Sequence, residues 1–150
     1  MNTKPYGLAV KAVICDGAGR CLLLRRSAYN KNFVGCWEWP GGKVDQGEDF
    51  ATAVHREVAE EAGLTIALTG LAGATSFEMP KINVVLLCME ARLVSGPVTL
   101  SEEHDAFAWV PFAALGQQEL VEHTRAFVLE YAARRVQGLV PEVGVEPTRL

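Results

Sequence analysis

Three glutamates raise the first chemical question. In the run from Gly42 to Leu64, GKVDQGEDFATAVHREVAEEAGL, Glu57, Glu60 and Glu61 stand at i, i+3 and i+4. On a helix that spacing gathers the three carboxylates along about one turn. Like charges so placed oppose the helix by about 0.2–0.5 kcal/mol per pair, and Arg56 is the only cation between Lys43 and Lys81 to relieve them. The cluster therefore needs positive charge from outside the helix. A hard divalent cation meets the need: Mg²⁺ takes oxygen ligands, keeps several waters, and binds one or two carboxylates together with substrate phosphates. The competing reading is a solvated acidic helix face. Ala51, Val54, Val58 and Ala62 form the apolar stripe of the same helix, and its centre lies to one side of the acids, so that they border the buried seam.

The flanking residues decide between the two readings. Pro40-Gly41-Gly42 is a strong breaker directly before the acid helix, and Gly63 stops it. Gly41-Gly42-Lys43 is not a phosphate-binding P-loop, since the spacer and the Ser/Thr after the lysine are missing. Gly42, Glu48, and Arg56-Glu57-Val58-Ala59-Glu60-Glu61-Ala62-Gly63-Leu64 match each fixed position of the Nudix hydrolase signature. The chain thus resembles that family, through a complete motif and through the strand pattern around it. The resemblance implies an α/β fold, an α/β/α sandwich with a mixed β-sheet between the box helix and a C-terminal helix. It implies Mg²⁺, with Mn²⁺ able to substitute, held by Glu57, Glu60, Glu61 and the carbonyl of Gly41. It also implies a structural ion pair between Glu48 and Arg56, and makes an acid in a later loop, where Glu102 and Glu103 precede His104, a further ligand or catalytic base.

Length and composition agree with one ordinary domain. The chain has 150 residues, 49% hydrophobic and 21% charged, enough for a core without staples and unlike a disordered chain. Net charge is −4 and the basic residues are scattered, which argues against polymeric nucleic acid as the main ligand. A small phosphorylated ligand is compatible, because a metal supplies positive charge locally. Cys15, Cys21, Cys36 and Cys88 form neither a Cys-x-x-Cys pair nor a zinc pattern, so reduced core or strand residues are expected. The N-terminus lacks an uninterrupted apolar signal segment, and the apolar run Ile82 to Met89 is too short to span a bilayer. A cytoplasmic protein without a membrane partner is the expectation.

The elements that must position the acids follow from periodicity. Residues 6–15, YGLAVKAVIC, read as a strand, Asp16 to Gly19 as a turn, and CLLLRR as its hairpin partner. Ser27 to Gly35 reads as a loop, and Cys36-Trp37-Glu38-Trp39 alternates. Leu64 to Leu71, Gly73 to Glu78 and Ile82 to Leu93 read as three strands, and SEEHDAF as a loop before a short strand at Ala108 to Val110. A turn of helix is expected over Phe112 to Leu115, and a helix over Glu119 to Val136 packs opposite the box helix. The domain is placed at 1–138, and 139–150, with two prolines and no period, is expected to be a loosely held extension.

The chemistry expected of these parts is hydrolysis of a phosphoanhydride, which asks for positioning and charge neutralisation more than covalent catalysis. No Ser-His-Asp or Cys-His nucleophile pair is evident. Glu57 is the first choice for the base that accepts a proton from water, and Glu103 the alternative. Arg25 closes a strand where it could reach a ligand phosphate, and Phe33 and Trp39, with Tyr29 and Trp37, lie where rings could stack on a base. Solvated strand ends and core aromatics are the competing readings. His55 and His123, alone at helical positions, are expected at the surface. The substrate is a nucleoside diphosphate-linked compound. A nucleoside triphosphate cleaved to monophosphate and pyrophosphate is slightly favoured; ADP-ribose or another nucleotide sugar is the alternative, for which Pro80 is weak support. A non-catalytic nucleotide-binding module is the reading from another class. Homodimerisation is common in the family that the chain resembles.

Overall fold

The strand β1, Tyr6–Cys15, carries the sheet. Val10, Ala12 and Ile14 point to one face and Val13 and Cys15 to the other, and all five are buried. A strand buried on both faces reads as a continuous apolar run, and both faces must then be covered. This computed structural model describes residues 3–139. The expected extension, apart from Leu139, lies outside the described residues.

β1 runs parallel to β6, Asn83–Ser95, from Tyr6↔Asn83 to Cys15↔Arg92, and β6 is antiparallel to β5, Thr65–Glu78. On the other side β2, Arg20–Arg26, meets β1 at Cys15↔Cys21 and pairs with both β3, Trp37–Glu38, and β7, His104–Pro111. β4, Gly41–Lys43, adds antiparallel to β1. The result is one mixed seven-stranded sheet with the path β3-β2-β1-β6-β5.

The helix α1, Phe50–Ala62, covers the face of Val10, Ile14, Leu22 and Leu24 with Val54, Val58 and Ala62. The helix α2, Glu122–Val136, covers the other with Val128, Tyr131 and Ala132 against Val13, Leu23, Leu86 and Cys88. This is the expected sandwich of helix, mixed sheet and helix. Among the described residues no helix is long and apolar enough to cross a membrane. All four cysteines are free, and all but the half-buried Cys36 are in the core.

Several boundaries differ from expectation. Residues 65–78 form one strand rather than two, with irregular register at Leu68/Gly70 and Leu71/Gly73, where Gly73 has φ +145°; those irregularities are what broke the alternation in the sequence. β7 begins at His104, so the part of the expected SEEHDAF loop from His104 to Phe107 is strand. α2 begins at Glu122 because the preceding Leu120 bridges to Trp37 and Val121 donates its N–H to the Trp37 carbonyl. On α1 the stripe includes Ala53 rather than the exposed Ala51.

Candidate active site

α1 owes its start and stop to local chemistry. The Asp49 side chain accepts the Thr52 N–H at 2.7 Å as N-cap, and Gly63 ends the helix in the left-handed region at φ 66°. Between these caps Glu57, Glu60 and Glu61 are presented at the edge of the buried face. Glu61 is 6% exposed, Glu57 half-buried and Glu60 exposed.

The turn before α1 is shaped to receive them. Glu61 accepts the Gly41 N–H at 3.0 Å. Gly41 has φ +146°, and a Cβ there would lie 2.1 Å from the Val10 carbonyl oxygen, so only glycine lets β4 approach β1. At Gly42 a Cβ would meet the Glu57 carboxylate at 2.8 Å. The two glycines therefore serve different ends, one the sheet and the other the carboxylate.

Arg56 organises the acids on its own helix. Its Nε and Nη2 donate to the two oxygens of Glu48 at 2.8 and 2.9 Å, and Nη2 also donates to the Lys43 carbonyl. Nη1 donates to Glu57 at 3.0 Å and to Glu60 at 3.3 Å. Asp45 lies 3.4 Å away. Arg56 and the Asp45 N–H hold the Glu48 carboxyl down at about 2. The residues expected to form an ion pair thus meet in the fork geometry that fits guanidinium to carboxylate.

A second loop faces this helix. Thr99 N–H donates to the Ala62 carbonyl at 2.8 Å and Ser101 N–H to the Glu61 carbonyl at 3.3 Å. From the far side Ser27 N–H and the Asn30 side chain both donate to the Glu103 carbonyl, at 3.0 and 2.7 Å, and Ser27 Oγ donates to the Glu102 carbonyl. Glu103 is thereby set across from α1. Tyr29, Glu57, Glu60, Glu61, Ser101, Glu102 and Glu103 line one cavity of about 140 Å³.

The electrostatics of this cavity are those of carboxylates short of cations. Burial pushes the Glu61 carboxyl up to about 8, with Glu38 and Glu57 adding to the rise while Lys11 and the Gly41 N–H oppose it. Burial also raises Glu57, against Arg56 and with help from Glu60 and Glu103. The oxygen donors gathered here suit a hard divalent ion, so the residues present fit the Mg²⁺ that the motif implies. Within that set the closest grouping differs from the helical trio. Among the described residues the ligand atoms that come within 4.8 Å of one another belong to Glu61, Glu103 and His104; Glu57 and Glu60 line the same cavity but lean on Arg56.

Behind the cavity lies a charged network that the sequence reading missed. Glu38, 8% exposed, accepts from Lys11 at 3.1 Å and from Arg26 at 3.0 Å, and pairs with His104 Nε2 at 2.9 Å. Burial alone would raise its carboxyl; Lys11, His104 and Arg26 outweigh that and hold it well below the usual carboxylate range. Lys11 also donates to the Trp39 carbonyl at 3.0 Å. The signal was available, since Lys11 in YGLAVKAVIC and Glu38 between two tryptophans are charges inside apolar strands, which demand partners.

The expected substrate residues scatter. Arg25 donates to Asp105 at 2.7 Å and sits 5.8 Å from the centre of the Trp37 ring. Phe33, at φ 57°, meets His123 edge-on, and His123 stacks on Phe77 at 4.7 Å. Neither lines the carboxylate cavity. Trp39 is a correction: it is 2% exposed and packs edge-on against Tyr131 and Phe127, so its ring offers no surface to a base. Of the upstream aromatics, Tyr29, 64% exposed, is the one on the cavity. His55 and His123 are exposed, as expected.

Comparison with known proteins decides the family. The model of the NUDIX domain matches residues 5–131. The chain belongs to the NUDIX family. Among solved structures, the MutT protein from Methanosarcina mazei Go1 has 34% identity and a TM-score of 0.80, with 90% of this chain and 99% of that one covered. Among curated relatives, an RNA pyrophosphohydrolase of Actinobacillus pleuropneumoniae is 30% identical over 129 residues, 71% of this chain and 60% of that protein. An 8-oxo-(d)GTP phosphatase of Mycolicibacterium smegmatis is 29% identical over 100 residues, 67% of this chain and 31% of that protein. This NUDIX chain therefore spans about three fifths or less of the length of these two relatives.

Proposed function

We propose that this NUDIX chain is a Mg²⁺-dependent pyrophosphohydrolase that cleaves a phosphoanhydride in a small nucleoside diphosphate-linked compound. A nucleoside triphosphate, hydrolysed to monophosphate and pyrophosphate, is the favoured substrate. The observation that carries the reading is the convergence of Glu57, Glu60, Glu61 and Glu103 on one cavity, with burial raising two of them.

Glu57, Glu60, Glu61, Glu103 and the Gly41 carbonyl are the groups that would hold the ion. When bound, Mg²⁺ supplies charge neutralisation for phosphate oxygens and Lewis acidity at phosphorus. The chain's residues do the rest. Glu57, held beside the turn at Gly42, accepts a proton from the attacking water as the general base. Arg56 keeps the Glu57 carboxylate turned toward the turn at Gly42, and Glu48 keeps Arg56 in place. The exposed ring of Tyr29 stands at the cavity wall, where a nucleoside attached to the phosphates could rest against it.

A panel of nucleoside triphosphates, ADP-ribose and nucleotide sugars, incubated with Mg²⁺, tests the reading. Release of inorganic pyrophosphate from a triphosphate is expected, and Glu57→Gln is expected to lower the rate by about two orders of magnitude or more. Two monophosphates from ADP-ribose instead would move the substrate class. Binding without turnover across the panel would overturn the enzymatic reading.

A further inference from the structure

The carboxylates account for a hard oxygen site but not for the imidazole buried beside them. The His104 side chain is 2% exposed at the start of β7, and its Nε2 lies 2.9 Å from Glu38 Oε2. Glu38 also receives Lys11 and Arg26, and a carboxylate paired with two cations is ionised and has no proton to give. In the neutral ring Nε2 therefore carries the hydrogen and donates it, and the lone pair falls to Nδ1. Nδ1 is buried and has no hydrogen-bond partner among the described residues. A ring nitrogen of His104 lies within 4.8 Å of a carboxylate oxygen of Glu61 and one of Glu103. An acidic cluster alone specifies no ion. An imidazole oriented by a carboxylate through one nitrogen, with the other unpartnered and the ring beside two acids, is the arrangement that supports metal ligation.

We infer that His104 is a metal ligand through Nδ1, completing with Glu61 and Glu103 a site that takes a nitrogen-accepting divalent ion of the Co²⁺ or Zn²⁺ type more tightly than Mg²⁺. The inference rests on the hydrolase reading for its two carboxylate ligands and adds a nitrogen that reading does not use. Glu38 becomes the residue that fixes the imidazole, and Lys11 and Arg26 the pair that keeps Glu38 ionised. An imidazole donor suits ions of the later first-row series, whereas Mg²⁺ favours carboxylate, carbonyl and water oxygens.

The test uses the full chain, stripped of metal and titrated with Co²⁺ or Mg²⁺. With Co²⁺ bound, proton NMR should show a hyperfine-shifted, solvent-exchangeable imidazole N–H, the one that His104 gives to Glu38. Histidine-selective ¹⁵N labelling should split that signal. His104→Gln should abolish it and weaken Co²⁺ binding by about ten-fold or more, while Mg²⁺ binding falls far less. His123→Gln, on the exposed face of α2, should keep it. Should His104→Gln fail to fold, the labelled wild type still decides. Co²⁺ bound without any histidine signal overturns the inference, as does failure to bind Co²⁺; neither outcome touches Mg²⁺-dependent hydrolysis. A histidine signal in a protein that cleaves no nucleotide would leave the ligand standing and remove the hydrolase reading.

Discussion

Glu61 shows how much a single side chain is asked to bear. It is 6% exposed, its nearest fixed donor is the Gly41 N–H, and burial pushes it up to about 8. Keeping such a group ionised without a full counter-charge costs stability, and the cost is what a bound cation offsets. Glu61→Gln keeps the shape and removes the charge. In metal-free protein the variant should be more stable than wild type, by about 2 kcal/mol or about 4–8 °C in Tm. With Mg²⁺ present the order should reverse or close, and turnover should be lost. Thermal unfolding with EDTA and with Mg²⁺ checks both halves; a variant less stable than wild type in EDTA would mean that the charge is already neutralised within the protein. That acids would gather on α1 was legible, because helical spacing is a local property. That Glu61 would be buried while Glu60 is exposed was not, because it depends on how β4 closes over the helix.

At the scale of elements, the turn at Gly41-Gly42 and the helix α1 act as one unit. The two glycines give opposite predictions from the same substitution. Gly41→Ala would drive a Cβ to 2.1 Å from the Val10 carbonyl at φ +146°, a clash with backbone that nothing flexible can relieve, so a loss of about 2 kcal/mol or more is expected. Gly42→Ala would meet only the end of the Glu57 side chain, so the fold should survive while Glu57 is displaced and kcat falls. Denaturant midpoints and rates on both variants separate these outcomes. The same unit gives a pH prediction. Glu48 is ordinarily near 4.5 and is held at about 2 by Arg56 and the Asp45 N–H. A depressed carboxyl contributes stability that is present above its unfolded value and is lost as pH falls through its folded one. The wild type should therefore lose stability between about pH 4.5 and about pH 2 more steeply than Glu48→Gln, and equal slopes would show the pair to be inert. The ion pair was legible from its motif. Trp39 was not: alternation says that Trp37 and Trp39 share a face, but here both faces of the sheet are roofed by helices, so an aromatic in a strand falls to the core rather than to a ligand.

At the scale of the molecule, the cavity is assembled from segments remote in sequence, the loop at Ser27 to Asn30, α1, and the stretch from Ser101 to His104. Their meeting could not be read from local pattern, since it depends on β7 pairing with β2 and on Thr99 and Ser101 bonding to the last carbonyls of α1. An ion bound among these segments ties together elements that unfolding would separate, and so acts on global stability by mass action. At a hundred-fold excess over its Kd the gain is about 2.7 kcal/mol, or about 5–11 °C in Tm for a chain of this size. EDTA should remove the shift and Mg²⁺ restore it. If repulsion among Glu57, Glu60, Glu61 and Glu103 is what draws the ion in, the double change Glu57→Gln with Glu60→Gln should shrink the shift to a small fraction while leaving the metal-free Tm equal or higher. Substitution of an exposed acid away from the cavity, Glu130→Gln on α2, should leave the shift intact. A wild-type Tm indifferent to Mg²⁺ at millimolar concentration would mean that these acids meet without an ion between them, and that the strain among them is relieved by Arg56 and Lys11 alone.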